Sequence, residues 1–268
     1  GGANIIMQQQ LAANRVSLNR VVAPKPCSAR RLGVCRASQK GKTDTRTTDK
    51  ILPSNVGFKW DGSNLRWVRD DRYAGQTSNI YIQPKSGSAY VIWPVVHTLL
   101  TEKGLRSVKP AEALKMQKQG WTIVDVRIEG DFEGQHCEGA VNVPLYRFVQ
   151  GTALWDNIKK IAMAGFAMKA TERDPDYVAT ILSRLKKNQK VILCCAIGGT
   201  LDTKVRTRPD KYKEGINDPD RSFGRESRSL KAAYEFFQAG WSSSNLVFIE
   251  GGYQQWKYDG LPIATSDE

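Results

Sequence analysis

Apolar and polar positions alternate in two different rhythms along the second half of the chain. "TIVDV", "KVILC" and "NLVFIE" are short continuous apolar runs of strand length, bounded by polar or glycine positions. Between them lie segments of helical period. In "DPDYVATILSRLKK", Val178, Ile181, Leu182 and Leu185 fall at i, i+3, i+4 and i+7. In "SLKAAYEFFQAG", Leu230, Ala233, Tyr234 and Phe237 repeat that spacing, and Gly240 supplies a stop. "KPAEALKMQKQG" follows the short strand "LRSV", with Pro110 suited to a first turn and Gly120 to an end. Strands that alternate with helices and are apolar throughout predict a parallel sheet with helices on both faces. In such sheets ligands sit beyond the carboxyl ends of the strands. "KVILC" ends at Cys194, so Cys195 falls where a site is expected.

The pattern before residue 105 is different. Residues 51–101 carry Trp60, Trp67, Tyr73, Tyr81, Tyr90 and Trp93, too many aromatics for a disordered tail. "SNIYIQP" and "SAYVIWP" predict two short strands around the turn "PKSGS". This extension is expected to pack against the main domain, with a partner-binding surface as the other reading. The apolar run over residues 89–100 is too short for a membrane span and contains Pro94 and His97. "ALWDNIKKIAMAGFAMKA" has the pattern of an amphipathic helix, and its modest charge points to core packing rather than a membrane surface.

Charge separates the leader from the rest. The formal net charge is +13, yet no Asp or Glu precedes Asp44, and the preceding segment holds 8 basic residues, leaving 13 − 8 = +5 for the remainder. That balance calls for no nucleic acid. The acid-free segment from Met7, rich in Arg, Ala and Ser, has the chemistry of an organelle transit peptide. "VCRAS" resembles plastid processing sites, placing cleavage near Arg36 or Ala37 and the mature protein in the chloroplast stroma or on the thylakoid periphery. The expected organisation is a leader over 1–43, a linker and extension over 44–104, and one domain over 105–268. Cleavage would remove Cys27 and Cys35 and leave Cys137, Cys194 and Cys195, which is no disulfide framework.

Two separated stretches carry a family resemblance. "VDVRIEGDFEGQHCEGAVNVP" resembles the opening signature of the rhodanese domain through Asp125, Arg127, Asp131, Phe132, His136, Gly139, Ala140, Asn142 and Pro144. "FIEGGYQQWKYDGLPI" is similar to its closing signature through Gly251, Gly252, Trp256, Gly260 and Pro262. Together with the leader, the chain resembles chloroplast rhodanese-like proteins of plants and green algae. The resemblance implies a five-stranded parallel sheet with helices on both faces, to which this chain adds the small aromatic-rich extension. It implies a sulfurtransferase needing no cofactor, with a cysteine persulfide passing sulfur from a small anionic donor to a thiol acceptor or cyanide. The family's active loop, roughly Cys-x-x-Gly-x-Arg-Ser, maps onto Cys195, Gly198, Arg228 and Ser229. Cys195 is then the nucleophile, Gly198, Arg228 and Ser229 bind substrate, and Cys194 is buried. A thiolate feeding a helix N-terminus meets unpaired N–H groups that lower its pKa. Asp125, Arg127 and His136 are read as structural, the first two positioning the loop or pairing with Asp131.

The chain departs from the family between Gly198 and Arg228, where residues of about 200–225 are inserted. Either the insertion bulges outward and leaves Cys195 beside Arg228, or the loop is lost. Its polar composition predicts an excursion over the site, mobile or ordered by a partner. "KVRTRPDKYK" carries 5 basic residues against Asp210, which suits an anionic substrate or an acidic chloroplast protein. Other cysteine chemistries fit worse. Adjacent cysteines are not a Cys-x-x-Cys redox pair. A zinc site lacks its four ligands. A Cys-x₅-Arg phosphatase loop would need Arg where Leu201 stands. Two readings therefore stand: a sulfurtransferase using Cys195, and a catalytically weak fold serving as a protein-binding module.

Overall fold

The fold is described from a computed structural model over residues 50–52, 58–70, 81–205, 213 and 215–265. The leader, and with it the transit-peptide reading, lies outside the described residues.

Five strands form the central sheet: β1 (Arg106–Val108), β2 (Thr122–Asp125), β3 (Val141–Asn142), β4 (Val191–Cys194) and β5 (Leu246–Ile249). Their order is β1-β5-β4-β2-β3 and every pairing is parallel. β4 and β5 are buried at every position, as strands covered on both faces must be. Neighbouring side chains part to opposite faces. Val191, Leu193 and Cys195 pack into one core, Ile192 and Cys194 into the other.

The first core is closed by α1 (Trp93–Glu102), α5 (Tyr177–Arg184) and α6 (Arg228–Gln238), through Val96, Leu100, Ile181, Leu230 and Phe236 among others. The second is closed by α2 (Pro110–Lys118) and α7 (Gly252–Tyr258), through Ala113, Tyr253 and Trp256. Helix α2 begins at Pro110, has Glu112 in its first turn and Lys118 in its last, the charge order that complements its dipole. A short helix α3 (Glu129–Gly134) follows β2, and α4 (Leu154–Ala164) leads into an antiparallel pairing of Tyr146–Phe148 with Thr171–Arg173.

The extension packs on the main domain. The two expected strands are present as Tyr81–Gln83 and Tyr90–Val91, paired antiparallel. Three elements are additional among the described residues. Lys50–Leu52 pairs antiparallel with Tyr81–Gln83 and makes that sheet three-stranded. Phe58–Asp61 and Arg66–Arg69 form a hairpin in which Trp60 and Trp67 meet edge to face, 5.7 Å apart. The apolar run through Trp93 is helix α1, with Pro94 in its first turn, lying against α6.

One expectation is corrected. Helix α4 does not pack into the core: none of its residues is buried. A helical period identifies an apolar face but not the direction in which it points.

Candidate functional site

Cys195 is the first residue beyond β4, and the turn that follows is clamped from behind by α7. Tyr253 N–H donates to the Cys195 carbonyl at 2.7 Å, and Gln254 N–H to the Ala196 carbonyl at 3.1 Å. Both donors belong to the first turn of α7, where backbone N–H groups have no partner within the helix. The approach is so close that a side chain is excluded. Gly252 has φ +59, and a β-carbon there would overlap the Cys195 carbonyl oxygen. Gly198, at φ +72, is wedged reciprocally against the turn: a β-carbon would overlap the Ile249 carbonyl oxygen and stand 2.7 Å from Gly251 N. With its carbonyls held backwards, the turn presents the Gly198 N–H to the Cys195 Sγ at 3.3 Å. It is the one hydrogen bond to that sulfur among the described residues.

The insertion leaves this turn intact by closing at its neck. Ser227 Oγ donates to the Gly198 carbonyl at 2.7 Å and accepts from Leu230 N–H at 3.2 Å, so one hydroxyl both caps α6 and ties it to the loop. Thr200 N–H donates to the Arg225 carbonyl at 3.1 Å. The chain therefore leaves at Gly199 and returns at Glu226 with the two ends bonded. The closed neck keeps the cysteine turn together.

The described part of the insertion is also pinned to the body, where the composition predicts an excursion either mobile or ordered by a partner. Lys204–Val205 pairs with Ile216–Asn217. The buried Arg225 guanidinium donates to the Thr203 carbonyl at 2.5 Å and also to that of Asp218. Burial holds its pKa below the ordinary arginine value. Asp218 and Asp220 reach back to Arg66 and Arg69 of the aromatic hairpin at 2.5 and 3.0 Å. These partners are 151 or 152 residues apart, a pairing no local pattern announces. Residues 206–212, most of the basic stretch, lie outside the described residues.

A cleft of about 500 Å³ opens over Cys195, lined also by Ile197, Asp131, Tyr146, Arg228 and Lys231. Cys195 itself is 2% exposed and forms its floor. Arg228 stands on the wall with its guanidinium 5.6 Å from the Tyr146 ring centre. Its ion pair with Asp131 is loose, 3.9 Å, and both partners are partly exposed. Lys231 is held tightly, 2.9 Å from Glu226 and 3.1 Å from the Tyr146 hydroxyl. Desolvation disfavours its charge, but Glu226 and Tyr146 outweigh that and raise its pKa above the ordinary lysine value. Tyr146, Glu226 and Lys231 were not legible as site residues. Lys231 follows Arg228 by three residues on α6, a spacing that sets both on one face.

The remaining named residues sit elsewhere. Ser229 is wholly buried and outside the cleft lining, and among the described residues its Oγ has no hydrogen-bond partner. Cys194 is buried on the opposite face, its Sγ 3.9 Å from that of Cys137. The neighbouring thiol and burial together push the Cys194 pKa well above the ordinary thiol range. Arg127 pairs with Asp125, not Asp131: two guanidinium nitrogens contact the carboxylate at 2.7–3.0 Å. Its pKa is raised: burial disfavours the charge, but the Asp125 carboxylate more than offsets it. The same guanidinium donates to the Gln135 carbonyl at 2.7 Å and lies 4.2 Å from the Tyr253 ring centre. The Asp125–Arg127 pair thus supports α7, which supports the Cys195 turn. His136 stacks on Phe132 at 3.8 Å, and its Nδ1 lies 2.8 Å from the Phe132 carbonyl oxygen. Among the described residues no His, Cys, Asp and Glu cluster could hold a metal ion.

The site is a cysteine turn at a strand end of a parallel sheet with helices on both faces, held by a glycine pair. The pattern of the rhodanese-like domain matches residues 109–217. The chain is 34% identical over 188 residues to rhodanese-like domain-containing protein 14, chloroplastic, from Arabidopsis thaliana. That match covers 69% of this chain and 77% of the relative. The chain belongs to the rhodanese-like family. Among solved structures it is similar to a rhodanese-related protein from Thermoplasma volcanium, at 18% identity and TM-score 0.32, covering 59% of this chain and 97% of that one. It is also similar to a thiosulfate sulfurtransferase from Pseudomonas aeruginosa, at 13% identity and TM-score 0.34, covering 65% of this chain and 22% of that one.

Proposed function

We propose that the protein is a rhodanese-type sulfurtransferase that carries sulfane sulfur as a persulfide on Cys195. The observation that supports this best is the pairing of a clamped Cys195 turn with Arg228 across one cleft. The Cys195 thiolate attacks the outer sulfur of a donor such as thiosulfate. The donor S–S bond breaks, and sulfite leaves with its electron pair. The new anion, Cys–S–S⁻, is then attacked at its outer sulfur by cyanide or a thiolate, and the Cys195 thiolate departs. Arg228 serves the donor: its loose link to Asp131 leaves guanidinium donors for a tetrahedral oxyanion. The Gly198 N–H serves the sulfur anion. In thiosulfate-to-cyanide assays the protein should form thiocyanate, and Cys195→Ser should form none.

The chain's leader supports import into the chloroplast with loss of the segment up to about Arg36, to the stroma or the thylakoid periphery; its relative is chloroplastic by name. The second reading is a binding module for an acidic chloroplast protein. What favours it is the basic composition of "KVRTRPDKYK", 5 basic residues against Asp210, in an insertion whose neck is closed by the pairing of Lys204–Val205 with Ile216–Asn217. Absence of sulfur transfer from thiosulfate, mercaptopyruvate and persulfide donors would leave that reading alone.

A further inference from the structure

Helix α4 is turned inside out. Asp156, Lys159, Lys160 and Met163 recur at i, i+3, i+4 and i+7, and they form the half-buried face. Polar bonds hold that face to the body. Ser86 Oγ donates to Asp156 Oδ1 at 2.8 Å, Lys159 Nζ to the Thr171 carbonyl at 2.9 Å, and Lys160 Nζ to the Gly151 carbonyl at 2.7 Å. Leu154, Trp155, Ile158 and Ile161 occupy the opposite face, and Leu154 and Ile161 are 71% and 74% exposed. The apolar surface continues beyond the helix through Phe166, 74% exposed, and Met168. A surface helix of a globular protein turns its apolar stripe to the core. A contiguous exposed stripe of this kind marks an interaction surface.

The charges beside the stripe say what it meets. Residues 148–169 contain Lys159, Lys160 and Lys169 against the single acid Asp156, which is turned onto Ser86. Among the described residues no carboxylate pairs with these three lysines: two donate to backbone carbonyls and Lys169 lies 5.1 Å from the Phe148 ring centre. Lys159 and Lys160 point to the body, but two cations flank the apolar surface, Lys85 with its Nζ 4.8 Å over the Trp155 ring centre and Lys169 beside Phe148. An apolar face edged in this way suits the headgroup boundary of an anionic bilayer. A two-fold contact with a second copy would set like-charged lysines near one another. No helix among the described residues is long and apolar enough to cross a membrane, so α4 would lie in the plane of the surface. We propose that α4, with Phe166 and Met168, seats the protein on an anionic lipid surface. This stands apart from the sulfur chemistry, and the two are measured separately.

The test uses the full chain and vesicles of phosphatidylcholine with and without phosphatidylglycerol, carrying brominated acyl chains. The leader is itself basic, so sedimentation alone does not suffice. Binding should favour the anionic vesicles, weaken with salt and quench a fluorescence component that Trp155→Phe removes. The pair Ile161→Gln and Phe166→Gln should weaken partition about tenfold through lost apolar burial while circular dichroism and thiocyanate formation are unchanged. Binding without quenching of Trp155, equal binding to neutral vesicles, or no binding would overturn the proposal. A dimer dissolved by the same pair of substitutions would assign the face to a second copy and overturn it too.

Discussion

Gly252 stands directly behind Cys195, close enough that a β-carbon on the glycine would occupy the space of the cysteine's carbonyl oxygen. This contact joins the closing family signature to the active loop: the signature supplies the backbone against which the cysteine turn is set. Tyr253 N–H and the Cys195 carbonyl, 2.7 Å apart, continue it.

Gly252→Ala tests this link. The left-handed backbone and the collision each oppose a side chain, so the variant should lose about 2–4 kcal/mol of stability. Sulfur loading should fall further than stability does, because the turn must move. Urea unfolding and the stoichiometry of the sulfur adduct, measured on the folded fraction, report the two effects.

Arg228→Gln should raise KM for thiosulfate by about tenfold or more, as expected for the loss of a charge-assisted contact to an oxyanion. The rate at saturating donor should change less. Added salt should narrow the gap between variant and wild type, since the Arg228 side chain is partly exposed. Steady-state kinetics at two ionic strengths would show it.

How much of this was legible before the fold was known depends on the kind of signal. The parallel sheet was written in "TIVDV", "KVILC" and "NLVFIE", because strands buried on both sides must be apolar throughout. The difference between Cys194 and Cys195 was also legible, since it needs only the two-residue period of a strand. Helix α1 was not: "VIWPVVHTLL" is apolar but for His97 and Thr98, and so short a run reads equally as strand or buried helix. Nor was the outward face of α4, which depends on Ser86, Gly151 and Thr171 capturing its polar side. The hold of Asp218 and Asp220 on Arg66 and Arg69 is a tertiary fact and left no mark on either segment.

That hold leads to a prediction about the insertion. Limited proteolysis should cut first within residues 206–213, for instance at Lys211 or Lys213. Arg225→Ala should accelerate the cut several-fold, because the neck loses its donors to Thr203 and Asp218. Equal rates in the two proteins, or first cleavage elsewhere, would show that Arg225 does not hold the stalk.

Alkaline pH should weaken the fold through Cys194. Its folded pKa lies above the ordinary thiol value, so above pH ~8.5 the unfolded chain gives up a proton that the native state keeps. The stability is complete below that pH and is lost as pH rises towards the folded pKa. Tyr177, pushed well up by burial, adds a similar loss above pH ~10. Melting temperatures between pH 7 and about 9.5 should therefore decline, and Cys194→Ala should flatten the decline.

The most direct test of the central claim is to locate the transferred sulfur. After incubation with thiosulfate, fragment-ion mass spectrometry of the peptide holding both cysteines should find an addition of about 32 Da on Cys195. Cys194→Ser should keep the addition and Cys195→Ser should lose it. An addition carried by Cys194, or a wild-type peptide that takes up no sulfur from any sulfane donor, would contradict the assignment.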